Sequence, residues 1–351
     1  MVNILLIIIA VLLFGLIIFI HEFGHFFTAK LSGVRVNEFS IGMGPKLFGF
    51  TKGETDYSLR LLPIGGYCAM EGEDEESPDD RAFNNKPIWK RMIVIVAGAF
   101  MNIVLGLVFM GILVCQSNLI ATNQIAAFSD DSKLEAAGAQ VGDYIISIDN
   151  YRIRTETDLS FALGSADPES VDIVLERDGE RINLDDIQLD SYESSSGTTA
   201  VVIDFNIYGV EKTPLRIIKR SFEDTWSMMK MVVMSLKGLI TGKYSLNEVS
   251  GPVGVAQAIT EAASTGLKSS VGDAISNILT MMALISVNLG VFNLLPFPAL
   301  DGGRFVFLLI EAIRRKPVDR KYEAYVNGAG MAVLLAIMLV VTLKDVIGIF
   351  K

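Results

Sequence analysis

The sequence predicts a polytopic α-helical membrane protein with four transmembrane helices and an inserted β-rich extracytoplasmic domain. Three observations lead there. Of 351 residues, 51% are hydrophobic and only 20% charged, and the mean hydropathy is +0.44, too apolar for an ordinary soluble domain. The apolar residues gather into four runs, 3–20, 92–114, 275–300 and 329–346, each near the roughly 20 residues a spanning helix needs. Between the second and third runs lies a polar stretch, 116–276, whose 24 acidic and 13 basic residues give a net −11 against −10 for the whole chain. With that balance, and with no Lys/Arg-rich run or basic-aromatic stripe, nucleic acid is excluded as a partner.

Taken in order, residues 1–30 form the first span. Asn3 to Ile20 carry no charge, Met1-Val2-Asn3 supplies no positive leader and no small-x-small site follows, so a retained helix is expected rather than a cleaved signal peptide. Residues 31–91 form a connecting loop in which Val34–Gly44 and Thr55–Tyr67 alternate like strands. A hairpin beside the functional site and a simple tie between the first two spans both satisfy that pattern. The acidic run Glu71-Gly-Glu-Asp-Glu-Glu reads as a solvated turn. The second span covers 92–115. In the insert, 120–205 shows short apolar alternations broken by Gly-Asp and Asp-Gly turns, with a helical stretch near Thr157–Leu163. In 206–274, Phe222, Trp226, Met229, Val233, Leu236 and Ile240 recur at helical spacing, interrupted by Lys230 and Lys237. An amphipathic helix on the membrane and one packed on the insert remain equally open. The third span is 275–301, a loop follows at 302–328, and the fourth span is 329–351.

Orientation follows from Lys and Arg near the helix ends. The 30–91 segment holds nine and the 302–328 segment six, so both face the cytoplasm, and both termini and the insert face outside. Cys68 and Cys115 stand in no CxxC or CxxH pair, which excludes a disulfide scaffold and a thiolate metal site.

The chain contains two histidines, and they stand four apart in His21-Glu22-Phe23-Gly24-His25. Spacing of i, i+4 puts both imidazoles on one helix face, where they can share a zinc ion at about 2.0–2.1 Å, with Glu22 beside the open coordination position. Zinc lowers the pKa of a water held there to about 7, and Glu22 is placed to take its proton. Other divalent ions suit the same donors. A third ligand cannot be a histidine, and the acid nearest the cytoplasmic end of the third span is Asp301, in Asn293-Leu-Leu-Pro-Phe-Pro-Ala-Leu-Asp301-Gly-Gly. Pro296 and Pro298 break the helix there, tolerable within a bilayer only where the backbone is buried in protein or lines a cavity. A metal-transit pathway would favour polar groups spaced through the membrane; here the acids converge at one depth.

HEFGH in the first span, NLLPFPALDGG after the third and Gly142-Asp-Tyr-Ile-Ile-Ser-Ile-Asp-Asn150 in the insert together resemble the site-two protease family of intramembrane zinc metalloproteases, in its regulator of sigma-E protease branch. The resemblance covers nearly the whole chain. It implies zinc on His21, His25 and Asp301, Glu22 as general base, and Asn288, Asn293 and Pro296 as positioners of an unwound substrate. It also implies that Gly98 and Asn102 support the second helix, Gly98 by close packing and Asn102 by a polar contact. The insert resembles a single PDZ domain, departing at Ala139-Gln140, and either captures peptides or gates substrates by size. The loop after the first span resembles a cytoplasmic membrane-associated β-hairpin. The implied enzyme is a multi-pass protein of the bacterial plasma membrane with its active site near the cytoplasmic side. Its implied substrates are single-span membrane proteins: anti-sigma factors already cut outside, and remnant signal peptides.

Overall fold

The computed structural model describes residues 2–73, 75–193, 199–244 and 249–349. Met1, and Asp74 of the acidic run, lie outside the described residues. The chain divides into two compact units, Met1–Phe109 with Ser235–Lys351, and Met110–Met234.

In the first unit, α1 (Val2–Leu31) runs unbroken through the HExxH segment. It ends in a Schellman turn: Gly33 takes a φ of +73°, its N–H donates to Lys30 O and the Val34 N–H to Ala29 O. Strands β1 (Val36–Lys52) and β2 (Thr55–Met70) then form a two-stranded antiparallel hairpin with repeated register shifts. Its base packs into a core of Ala29, Val34, Phe39, Met70, Val94 and Leu308. Farther out, Leu47, Phe48, Phe50, Leu61 and Leu62 are exposed. Helix α2 (Ile88–Gln116) carries the chain toward the second unit.

After the insert come α6 (Pro252–Ser269), α7 (Val271–Asn293), α8 (Asp301–Arg314) and α9 (Arg320–Ile349). Among the described residues four helices are long and apolar enough to cross a membrane, at Val11–Leu31, Ile88–Gln116, Val271–Asn293 and Arg320–Gly348. Two expected boundaries are corrected. The third helix does not reach 301: it starts at Val271, where Ser270 caps it by accepting from Asp273 N–H, and stops at Asn293. Pro296 and Pro298 bring no N–H to continue it, and Ala299 turns the chain with a φ of +74°. Asp301 therefore opens the next helix instead of ending the third. The fourth helix begins at Arg320, well before 329, so most of the 302–328 segment is helical rather than a loop.

The second unit is built on a sheet of order β10-β3-β4-β6-β7, with β5 paired to β4. Its strands are β3 (Ile120–Phe128), β4 (Tyr144–Ile148), β5 (Tyr151–Arg152), β6 (Val171–Arg177), β7 (Glu180–Ile187) and β10 (Phe205–Val210); β8 (Ser191–Glu193) and β9 (Thr199–Val201) pair with each other. Two-residue turns at Asp149-Asn150 and Asp178-Gly179 take positive φ at both positions, the type I′ geometry that hairpins favour. Short α3 (Lys133–Ala136) and α4 (Glu156–Ser165) are capped by Ser132 and Thr155. Ile125, Leu134, Ile145, Leu163, Ile173 and Leu175 fill the core. The sheet extends past the expected limit of 205, because β10 pairs antiparallel with β3.

Helix α5 spans Pro214–Ile240. Its buried residues in this unit include Arg220, Ser221, Asp224, Thr225 and Ser227, while Leu215, Phe222, Trp226 and Val233 are exposed. Arg220 donates to Asp224 and to Ala121 O, each at 2.8 Å. Lys230 reaches the fully buried Asp158 at 2.8 Å. The helix thus packs a largely polar face, with Met228 and Val232, on the insert and turns most of its apolar stripe outward.

One ion pair ties the insert together. The Asp143 side chain is 1% exposed and meets Arg177 at 2.7 Å, while accepting from Gln140 N–H at 2.8 Å. The Arg177 guanidinium holds the Asp143 carboxyl below its usual range. Because the folded-state pKa lies below the unfolded one, the stabilisation is complete at neutral pH and is lost as pH falls below about 4. Asp143→Ala removes the Arg177 pair and the acceptor of Gln140 N–H, while Arg177 keeps Gly138 O, and is expected to lower the insert's stability by about 2 kcal/mol at pH 7, measured by pulse proteolysis of the full chain in denaturant. The gap from wild type should narrow at pH 3; a loss under about 1 kcal/mol, or a gap unchanged with pH, contradicts it.

Candidate metal centre

Helix α1 presents His21 and His25 one turn apart, each 9% exposed, and the turn before α8 delivers Asp301 against them. His21 Nε2 and His25 Nε2 lie 3.3 Å apart, and Asp301 Oδ2 lies 3.3 Å from the first and 3.4 Å from the second. These are the separations of three corners of a tetrahedron whose centre sits about 2.0–2.1 Å from each donor. Asp301 Oδ2 is buried without a hydrogen-bond partner. Two imidazole nitrogens and a carboxylate oxygen at these distances suit zinc, whose catalytic sites take a water or a carbonyl as fourth ligand. Among the described residues this is the group of His, Cys, Asp and Glu that could hold a metal ion.

The second helix backs the cluster at four-residue intervals. His25 Nδ1 donates to Val94 O at 2.8 Å, leaving Nε2 as the free donor atom. One turn on, a Cβ at Gly98 would collide with the His25 ring. After another turn, the fully buried Asn102 places its carboxamide 3.3 Å from His21 Nδ1. From α7, Ser286 donates to the backbone carbonyl of Asn102 at 2.8 Å. Gly98 and Asn102 therefore do more than pack helices: they touch the two imidazoles. Val94 and Ser286 escaped the sequence reading, one because it acts through its backbone, the other because a serine in an apolar helix carries no signal of its own.

Glu22 sits on α1 between the histidines, and strand β2 runs past it: a Cβ on Gly66 would lie 3.1 Å from Glu22 Cγ. Asp301 is anchored through its own helix. Arg304, one turn on, pairs with Glu73 after β2, and Arg91 of α2 pairs with Glu311 of α8. Asn288 and Pro296 are exposed and Asn293, the last residue of α7, is half-buried. They lead into the turn toward Asp301 without hydrogen-bonding to the cluster.

Donors of this kind, set among helices that can cross a bilayer, define a class: the membrane-embedded metallohydrolases. Sequence comparison supplies the family. The model of Peptidase family M50 matches residues 9–337, and the chain belongs to that family. It is 41% identical to an inferred zinc metalloprotease of Clostridium perfringens over 97% of this chain and 98% of the relative. It is 30% identical to the regulator of sigma-W protease RasP of Bacillus subtilis over 97% and 98%, in an alignment of 423 residues that leaves the relative with extra sequence. The chain is a bacterial membrane-embedded zinc metalloendopeptidase of the site-two protease type.

The fit of Gly98 against His25 is testable. Gly98→Ala should push the ring off its seat and weaken zinc binding about tenfold or more, read by chelator competition, with helix content by circular dichroism unchanged. An unaltered affinity contradicts the contact.

Proposed function

We propose that this protease cuts single-span membrane proteins within or beside their spanning segment, with His21, His25 and Asp301 as zinc ligands and Glu22 as general base. The observation that carries the reading is the 3.3–3.4 Å triangle of donor atoms, with Glu22 on the same helix between the two histidines. Zinc held there supplies Lewis-acid polarisation of the scissile carbonyl and lowers the pKa of water at its open position. Glu22 takes the proton from the attacking water and returns it to the departing amine.

A peptide bond in a helix is shielded by its own hydrogen bonds, so the substrate must be drawn out as an extended strand. The proximity of β2 to Glu22 supports strand addition along the hairpin. Asn288, Asn293 and Pro296 then position the unwound backbone as it approaches Asp301. The exposed apolar flank of the hairpin suits a membrane-associated loop, since a lone two-stranded sheet is marginal in water. The Lys/Arg-rich segments favour a hairpin and a site on the cytoplasmic side of the plasma membrane, with both termini and the PDZ-like insert outside. Anti-sigma factors trimmed outside and remnant signal peptides are the proposed substrates, and the name of the Bacillus subtilis relative, regulator of sigma-W protease, supports the first. The insert either captures peptides or admits only substrates whose outer part has been removed.

Detergent-purified enzyme should cut a tagged single-span substrate within its span, lose that activity to a chelator and regain it with zinc. Glu22→Gln should keep its zinc and lose about 10²–10⁴ in turnover. Equal cleavage by wild type and Glu22→Gln would remove Glu22 from the mechanism, and binding without turnover by the wild type would mark an adaptor.

A further inference from the structure

His21 and His25 are both almost fully buried, so a ring nitrogen that does not face the metal finds no water and requires a partner from the protein. For His25 that partner is Val94 O. For His21 Nδ1 it is Asn102, whose carboxamide is 3.3 Å away. Since His21 Nε2 faces Asp301 and His25, a metal-ligating His21 carries its proton on Nδ1 and needs an acceptor there. With Asn102 Nδ2 toward the ring, Asn102 Oδ1 is buried without a partner. A half-turn of the amide presents Oδ1 to the Nδ1–H instead, so that the ring proton and the carboxamide oxygen share one hydrogen bond and Nδ2 takes the place where Oδ1 stood.

We infer that Asn102 is a positioning residue for the metal centre, its carboxamide oxygen holding the Nδ1–H of His21 so that Nε2 is presented to zinc. The inference rests on the ligand set proposed above. Two features set it apart from ordinary helix packing. Asn102 stands on the same face of α2 as Val94 and Gly98, at intervals of four that match the two histidines of α1. Its own turn is pinned by Ser286 of α7, the helix that leads to Asp301.

The test uses the full chain in detergent, with zinc affinity from chelator competition and the visible spectrum of the cobalt-substituted protein. Asn102→Leu, close in size but without an acceptor, should bind zinc about 10–100-fold more weakly and shift the cobalt bands. Asn102→Asp, which restores an acceptor, should bind within about threefold of wild type or tighter. A packing role would leave the cobalt bands in place and would not separate the two variants. Zinc affinity of Asn102→Leu within about threefold of wild type overturns the inference, as does Asn102→Asp weakened about tenfold or more, the arm that decides if the leucine variant fails to fold. His21→Ala distinguishes the levels: if it loses zinc while Asn102→Leu does not, only the role of Asn102 fails, and if it binds as wild type does, the ligand set fails with it.

Discussion

Three electron-pair donors converge within 3.4 Å of one another in a largely buried setting. Without a cation between them, their lone pairs face each other and Asp301 Oδ2 has nothing to bond. That convergence is the constraint on which the rest of the membrane unit depends. It requires α1 to continue as a helix through His25, α2 to approach closely enough for Gly98 to touch the ring, and the chain after α7 to turn back sharply.

The turn is achieved by chemistry local to the sequence. Pro296 and Pro298 end helical hydrogen bonding, Ala299 adopts a left-handed conformation, and α8 starts at once, with the carboxylate of Asp301 in its first turn. A carboxylate is favoured at a helix N-terminus. Arg304 with Glu73, and Arg91 with Glu311, then tie α8 to the turn after β2 and to α2. The two halves of the site, far apart in sequence, are thereby held by groups outside the donor set. Such outer groups decide how rigidly a metal centre is presented.

Much of this was legible before any coordinates. The i, i+4 histidines, the lack of any other histidine and the position of Asp301 beyond a proline-broken helix together point to one site. What escaped was of three kinds. Val94 acts through a carbonyl that no residue type announces. Helix α8 reads as part of a loop because its two arginines and its 14 residues resemble a charged connection. Strand β10 fell beyond the expected end of the insert because its partner, β3, is about 80 residues earlier, a pairing that alternation alone cannot register. Helix α5 shows a further limit: periodicity reveals a stripe of Phe222, Trp226 and Val233 but not which side the protein covers. There the polar face is buried, since Asp158, Ala121 O and Arg152 O offer partners to Lys230 and Arg220.

The account stands most directly on the identity of the zinc ligands, and zinc-edge X-ray absorption on the purified full chain tests it. The expected result is one zinc per chain in a shell of light atoms at about 2.0–2.1 Å, two of them imidazoles, with the shell lost in Asp301→Ala. A shell containing sulfur at about 2.3 Å, or one that survives removal of Asp301 unchanged, would contradict it.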